Sequence, residues 1–529
     1  MRDFQTPGRS LAVGSNGAAA TSHPLSTYAA IEVLRNGGNA VDAALTACSL
    51  QSVLEPHNTG LGGDCFAFVW REDLCELHAV NGAGWAPEAL SAEFLLKAGI
   101  PAIDPSSVHA VTIPGALDAW VRLLADHGTR TLAEILQPTI AYAETGVVLA
   151  ERAAADWALE VGKLGRDEGA QAQLLNNGKA PSAGDRIRFP LLARTLRIIA
   201  AEGSDSFYRG GIARDLVATL SALGGRHSLE DFAAFASHYV DPIGVEYRGV
   251  RVMQMPPSGQ GLTTLVMLNM LADFPHADLD PAGAERIHLQ IEAARLAYAV
   301  RDTFIADPEF ESVPTAELLS PSFADSLREK INLLRASGAE PTLPIVNQRD
   351  TVCLTVVDGA GNACSLVNSL FDAFGCGKVC PRTGVVFQSR GAGFRVEPGH
   401  PNSLVGRKRP LHTIIPAMAM RDGKPFLSFG VMGGAFQPVG QVQFLQNVVD
   451  FGMNVQEALD APRGFCTAVT FEAERGISDA TLSTLSRMGH AVGRTARPFG
   501  GGQAIEIDRN REILKAGSDP RKDGVALAI

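Results

Sequence analysis

Thr351 stands where a polar, aperiodic stretch gives way to a β-rich run. A hydroxyl there can act as a nucleophile only if something takes its proton, because an alcohol is essentially un-ionised at neutral pH. Side-chain triads recruit His and a carboxylate for this task, yet the chain contains no G-x-S-x-G elbow. A second solution makes the Thr the first residue of a polypeptide, so that its own α-amine, with a pKa of about 8, becomes the base. That requires scission between Asp350 and Thr351, and an exposed segment leading into a strand is where scission is sterically open. On the residues alone, Thr351 is either such a nucleophile or a Thr placed there by β-propensity.

Other constellations offer less. His57-Asn58-Thr59-Gly60-Leu61-Gly62-Gly63-Asp64 is a polar glycine loop. A dinucleotide fingerprint would need a third glycine where Cys65 stands and a strand, not a helix, ahead of the loop, so a tight structural turn is expected. His57 and Asp64 then serve either hydrogen bonding within the loop or catalysis. Cys376 and Cys380 have no nearby His pair to complete a zinc site. Neither a metal nor an organic cofactor is expected.

The elements that must position Thr351 are legible from periodicity. Apolar spacing predicts helices over Leu25–Arg35, ended by Gly37-Gly38, and over Ala40–Leu54, capped by Asn39 and apolar nearly all round. A strand is expected over Phe66–Trp70. Further helices follow at Ile212–Leu223, Leu229–Ala236 and Ala284–Ile305, with a strand at Gly249–Met255. Lys330–Asp350 reads as an exposed segment. Thr351–Val357, a turn at Asp358-Gly359-Ala360-Gly361-Asn362, and Ala363–Phe371 then form a hairpin. Beyond it come a strand at Phe426–Val431, a Gly433-Gly434 turn, a helix over Pro438–Phe451, and another opening at Asn454–Glu457.

Composition narrows the class. The chain has 529 residues, 46% of them hydrophobic and 19% charged, which suits a large globular core and excludes disorder, collagen and coiled coil. Its net charge of −11 and the lack of any basic run interleaved with aromatics argue against nucleic acid as a partner. No apolar run approaches the 18 or so residues of a membrane span, and the N-terminus lacks a signal-like apolar core. The eight cysteines lie mostly among apolar neighbours, as buried thiols of a reducing compartment do. A soluble, cytoplasmic α/β protein is expected.

From about Ala19 to Ala526 the chain resembles the γ-glutamyltransferase family of N-terminal-nucleophile hydrolases. The segments that carry the likeness are SHPLSTYAAIEVLRNGGNAVDAA, EPHNTGLGGDCFAFVW, FYRGGIA, PPSGQG, DTVCLTVVDGAGNA, RKRPLHTIIPAM, GVMGGAFQP, FGMNVQEALDAPR and GSDPRKDG. The resemblance implies a four-layer αββα sandwich and a precursor that cuts itself before the Thr heading a strand. The matching position is Thr351, so a large subunit 1–350 and a small subunit 351–529 would remain together as one body. A dimer of such heterodimers is left open. The likeness also implies that Ser369 is a second hydroxyl orienting the nucleophile and that the backbone N–H groups of Gly433 and Gly434 form an oxyanion hole. Such donors are each worth roughly 3 kcal/mol.

Departures from the family pattern bear on substrate. The Arg that grips a glutamyl α-carboxylate has no counterpart in Asn81-Gly82-Ala83-Gly84-Trp85-Ala86-Pro87. The acidic residue for the substrate amino group is replaced by Gly393, a polar group after the second hydroxyl by Phe371, and a Ser-Ser pair by His412-Thr413. Arg390 adds a positive group where the family carries a neutral amide. A guanidinium suits a carboxylate, and Phe371 narrows the pocket, so the expected substrate is a small anionic amide. Arg390, Phe371, His412 and Thr413 are the candidate substrate contacts, Arg390 being otherwise a surface or structural salt-bridge arginine and His412 otherwise a structural histidine, while Arg407, Lys408 and Arg409 are read as a solvated basic turn with one structural contact.

The likeness is strongest to a branch that includes an oxamate amidohydrolase, which implies hydrolysis of oxamate to oxalate and ammonia through a Thr351 acyl ester. The short segment Phe394–Arg409 leaves no room for a long lid, which favours water over an amine acceptor. Two other activities stay in view: a γ-glutamyl hydrolase or transferase, and a cephalosporin-type acylase. From another class stands an unprocessed, non-catalytic binding relative.

Overall fold

The computed structural model describes residues 8–275, 279–338, 351–467 and 469–529. Its organising element is the hairpin at the candidate nucleophile. Val352–Asp358 is buried along its whole length, turns at 359–362, and returns as the equally buried Ala363–Ser369, with Val352 opposite Asn368. Asp358 fixes the turn by accepting the N–H groups of Ala360 and Asn362 on Oδ1 at 3.0 and 2.9 Å. The second strand stops at Ser369, two residues short of the expected run. Phe371 has φ 82°, a left-handed value that breaks strand geometry.

Two strands buried on both faces must sit centrally, and they do. The first seven-stranded sheet runs in the order Val525–Ala528, Gly17–Thr21, Val352–Asp358, Ala363–Ser369, Asp64–Arg71, Glu76–Gly82, His238–Val240, all antiparallel. The second runs Ala12–Gly14, Ile513–Ser518, Gly501–Asp508, Lys424–Met432, Ala417–Arg421, Val250–Gln254, Ile243–Tyr247, again antiparallel. Phe66, Phe68, Trp70, Cys353, Val367, Met418, Met432 and Ile505 fill the space between the sheets.

Helices cover both outer faces. Ala40–Leu54 is buried at every position and lies on the central hairpin, under a neighbouring helix at Leu132–Thr145. Its Asn39–Asp42 capping box satisfies the first turn. On the other sheet the almost fully buried Gly261–Leu271 packs against Ala284–Phe304 and Gln437–Val449. This is the four-layer αββα arrangement. The expected helix from Leu229 ends early, at Ala233, because Phe235 turns in against Trp85 and Tyr208.

Both sheets mix strands from before residue 339 with strands from after residue 350, so the two parts of the chain share both sheets. Leu333 and Leu334 are exposed, in keeping with the expected surface segment, whereas 339–350, with Asp350, lie outside the described residues.

Candidate active site

Three adjacent strands end together at one edge of the first sheet. Continuing the hairpin register by one residue sets Thr351 opposite Ser369, and Ser369 pairs with Asp64 across the next ladder. Directly opposed residues project to the same face, so the topology alone gathers two hydroxyls and a carboxylate. Thr351 Oγ1 lies 3.1 Å from Ser369 Oγ, and both side chains are buried. Ser369 Oγ also accepts the Phe371 N–H at 2.9 Å, which fixes its rotamer against the strand end.

Across the interface, Lys424–Met432 of the second sheet ends in a glycine turn. Gly433 and Gly434 have φ of 124° and 57°, values that side chains rarely adopt, and the Phe436 N–H closes the turn on the Gly433 carbonyl at 3.0 Å. With that carbonyl engaged, the Gly434 N–H of the same peptide plane points the opposite way.

Asp64 is the hub behind the strand ends. Its Oδ1 accepts the Gly84 N–H at 3.0 Å, the Gly115 N–H at 3.3 Å and Gln388 Nε2 at 2.9 Å, while its Oδ2 accepts His412 Nε2 at 3.0 Å. Arg390 Nε stands 3.8 Å from the same oxygen. A buried carboxylate with this many donors is satisfied as an anion. Arg390 has no exposed surface. Its Nη1 donates to Thr413 Oγ1 at 2.8 Å, its guanidinium carbon lies 4.2 Å from the Phe371 ring centroid, and Nη2 has no hydrogen bond among the described residues. Burial pulls the guanidinium down to about 10, opposed by Asp64 and Asp372.

His412 is equally enclosed. Its Nδ1 accepts the Ile414 N–H at 3.3 Å, so the proton sits on Nε2 and is donated to Asp64. Burial, with Arg390 acting in the same sense, holds the imidazole neutral and its pKa near about 4. His23 and His227, also near about 4, and His57, near about 3, are buried in the same manner. The linked stability has a definite sign. Below about 6.5 the unfolded chain takes up protons that the folded one refuses, so stability is complete above that pH and drains as pH falls toward 4. His412 alone contributes ~3 kcal/mol to that loss. The urea midpoint should be flat between pH 7 and 8 and fall steeply below 6.5. An unchanged midpoint at pH 5 would show that these imidazoles are accessible.

A cleft of about 910 Å³ opens beside this edge, and Phe371, Thr413 and Ala435 form part of its wall together with Lys163, Asp372 and Arg301. Lys163 donates to the Ala373 carbonyl and so ties the loop after Ser369 to the helical layer. Burial raises the Asp372 carboxyl, against the pull of Lys163.

The candidates from sequence thus fall into two groups. Thr351, Ser369 and Phe371 cluster at one strand end, Thr413 accepts from Arg390, which stacks on Phe371, and the Gly433-Gly434 turn follows Lys424–Met432 of the facing sheet, whereas Arg390 and His412 lie fully buried on Asp64. Asp350 is outside the described residues. The basic turn differs from expectation. Lys408 and Arg409 are buried, Lys408 donating to the Pro401 carbonyl at 2.6 Å and Arg409 pairing with Glu309 at 2.9 Å.

Among the described residues one trio could group around a metal: His288, Glu292 and His490. Several of its ligand atoms are already engaged, while His490 Nδ1 has no hydrogen bond among the described residues. His288 Nδ1 and His490 Nε2 share a hydrogen bond at 2.7 Å, and Glu292 takes Arg295 at 2.8 Å and the Ser337 N–H at 3.1 Å. Seven of the eight cysteines are buried, and no helix among the described residues is long and apolar enough to cross a membrane.

Comparison with known proteins agrees with this architecture. The chain is 32% identical to the glutathione hydrolase-like YwrD proenzyme of Bacillus subtilis, over 98% of this chain and 99% of that one. It is also 32% identical to the oxamate amidohydrolase proenzyme of Klebsiella pneumoniae, over 97% and 98% of the two chains. The crystal structure of a cephalosporin acylase from Bacillus halodurans superposes with a TM-score of 0.93 at 36% identity, covering 100% of this chain and 99% of that one. The gamma-glutamyltranspeptidase family model matches residues 26–529, and with the paired hydroxyls at the strand end and the αββα layers around them, the chain belongs to that family.

Proposed function

We propose that the chain is a self-cleaving amidohydrolase whose nucleophile is Thr351. The observation that carries this is the 3.1 Å contact between Thr351 Oγ1 and Ser369 Oγ at the buried end of the central hairpin. In maturation the Thr351 hydroxyl attacks the Asp350 carbonyl, the peptide shifts to an ester, and water hydrolyses it to leave fragments 1–350 and 351–529. Strands interleaved in both sheets hold the fragments together.

The freed α-amine then takes the hydroxyl proton as Thr351 attacks a substrate amide. The N–H groups of Gly433 and Gly434 receive the developing oxyanion, and the proton passes to the departing amine. Water cleaves the acyl ester with the amine again as base. Ser369 orients the hydroxyl throughout.

For substrate we favour a short anionic amide, with oxamate the first choice and oxalate and ammonia as products. Arg390 supports it: a buried guanidinium with an unpartnered Nη2, capped by Phe371, is matched to a small carboxylate. One observation favours a second reading. A cleft of about 910 Å³ is larger than oxamate needs and would accommodate the acyl arm of a cephalosporin-type or γ-glutamyl amide. Purified protein assayed against oxamate, a glutaryl amide and a γ-glutamyl anilide separates the two. Oxamate should have the highest kcat/KM, and a clear preference for either larger amide overturns the choice. Intact mass tests the remaining alternative, a binding protein that never matures, which would appear as one uncut chain.

A further inference from the structure

Gln260 lies in the part of the chain before the cleavage point, yet it is bonded to the segments that carry the glycine turn. It has no exposed surface. Its backbone N–H donates to the His412 carbonyl at 2.8 Å, and its side-chain Nε2 donates both protons, to the Thr413 carbonyl at 2.8 Å and the Gly434 carbonyl at 2.9 Å. The amide orientation is unambiguous, because Oε1 accepts from Arg301 Nη1 at 3.2 Å and a guanidinium can only donate. Tyr298 adds a second tie by donating its hydroxyl to the Ala435 carbonyl. Arg301 stacks over the Tyr298 ring at 4.5 Å and is neutralised by Asp302 at 2.8 Å, so the support is itself held in place.

These bonds fix successive peptide planes. The Gly433 carbonyl is held by the Phe436 N–H, the Gly434 carbonyl by Gln260, and the Ala435 carbonyl by Tyr298. Glycines at φ 124° and 57° have little intrinsic preference for that geometry, so a turn without these ties would sample flipped planes. Donors for an oxyanion accelerate a reaction only if they are already aimed when charge develops.

We infer that Gln260, with Tyr298 and Arg301 behind it, is a positioning residue that preorganises the oxyanion turn, so that the larger fragment controls the chemistry of the smaller one after cleavage. This rests on the assignment of Gly433 and Gly434 as oxyanion donors. Gln260 should therefore act on kcat while touching no substrate.

The test uses the matured enzyme with the best amide substrate of the panel. Gln260→Met keeps the volume and removes both donors. It should lower kcat about 30-fold with KM within threefold, and should weaken a boronic acid transition-state analogue by a similar factor. Tyr298→Phe deletes a single hydroxyl and serves if the first variant does not fold, with about a 10-fold fall in kcat and the same flat KM. A kcat within twofold of the parent in a folded, cleaved variant overturns the inference, as does a loss carried by KM. Thr351→Ala run alongside separates the cases. If the uncleaved Thr351→Ala chain is inactive while Gln260→Met keeps its kcat, only the positioning role fails; if that chain stays active, the proposed nucleophile fails, and the proposed function with it.

Discussion

Thr351→Ala should run as one full-length band on a denaturing gel, fold with the melting temperature of an intact αββα body, and show no amidase activity. A methyl group in place of the hydroxyl leaves nothing to attack the Asp350 carbonyl, so maturation and turnover fail together. The core should tolerate the change, since Thr351 lies at a strand end and the substitution gives up the contact with Ser369 Oγ at 3.1 Å. Removing a covalent nucleophile typically costs a factor on the order of 10⁶ in kcat. Two bands from this variant would mean that the cut is made by another group or at another bond. Thr351→Ser supplies the control. It retains a hydroxyl and should still cleave, more slowly, because the freer rotamer of Ser is less well aimed.

The second large effect is expected at Arg390. Arg390→Met should lower kcat/KM for oxamate about 10³-fold while changing that for a neutral acyl amide less than 10-fold. The reasoning is electrostatic: a buried guanidinium–carboxylate contact, once one partner is removed, leaves the other charge desolvated at a cost of about 3–5 kcal/mol. Folding should survive, because Asp64 keeps Gly84, Gly115, Gln388 and His412 as donors when Arg390 is gone. Arg390→Lys retains the charge but not the planar fork, and should recover only part of the activity. An unchanged oxamate kcat/KM in Arg390→Met would assign Arg390 to structure, as a counter-charge for Asp64, and move the substrate carboxylate elsewhere in the cleft.

What could be read from sequence follows from how local each feature is. The hairpin at Thr351 is legible because two β-rich runs and the Asp-Gly-Ala-Gly-Asn turn between them are short-range signals, and its register then fixes the pairing of Thr351 with Ser369. Ala40–Leu54 is legible for the same reason, its cap and its all-round apolarity being contiguous. The role of Asp64 is not. It meets Gln388 and His412 across more than 300 residues of chain, and a glycine loop offers no local sign of those partners. Gln260 is invisible in the same way, since a lone Gln in a proline-glycine stretch looks like loop polarity until the second sheet is assembled around it. Lys408 and Arg409 mislead in the opposite sense. A basic triplet beside a proline resembles a solvated turn, but Pro401 and Glu309 draw two of its members inside.

The central claim is a liberated amine on Thr351, and N-terminal sequencing of purified, catalytically active protein examines it most directly. The account requires two fragments that co-purify, one of them beginning Thr-Val-Cys-Leu and running to residue 529, with acyl label from a slow substrate recovered on its first residue. Full activity in an uncut chain, or a new terminus at any other position, would contradict it.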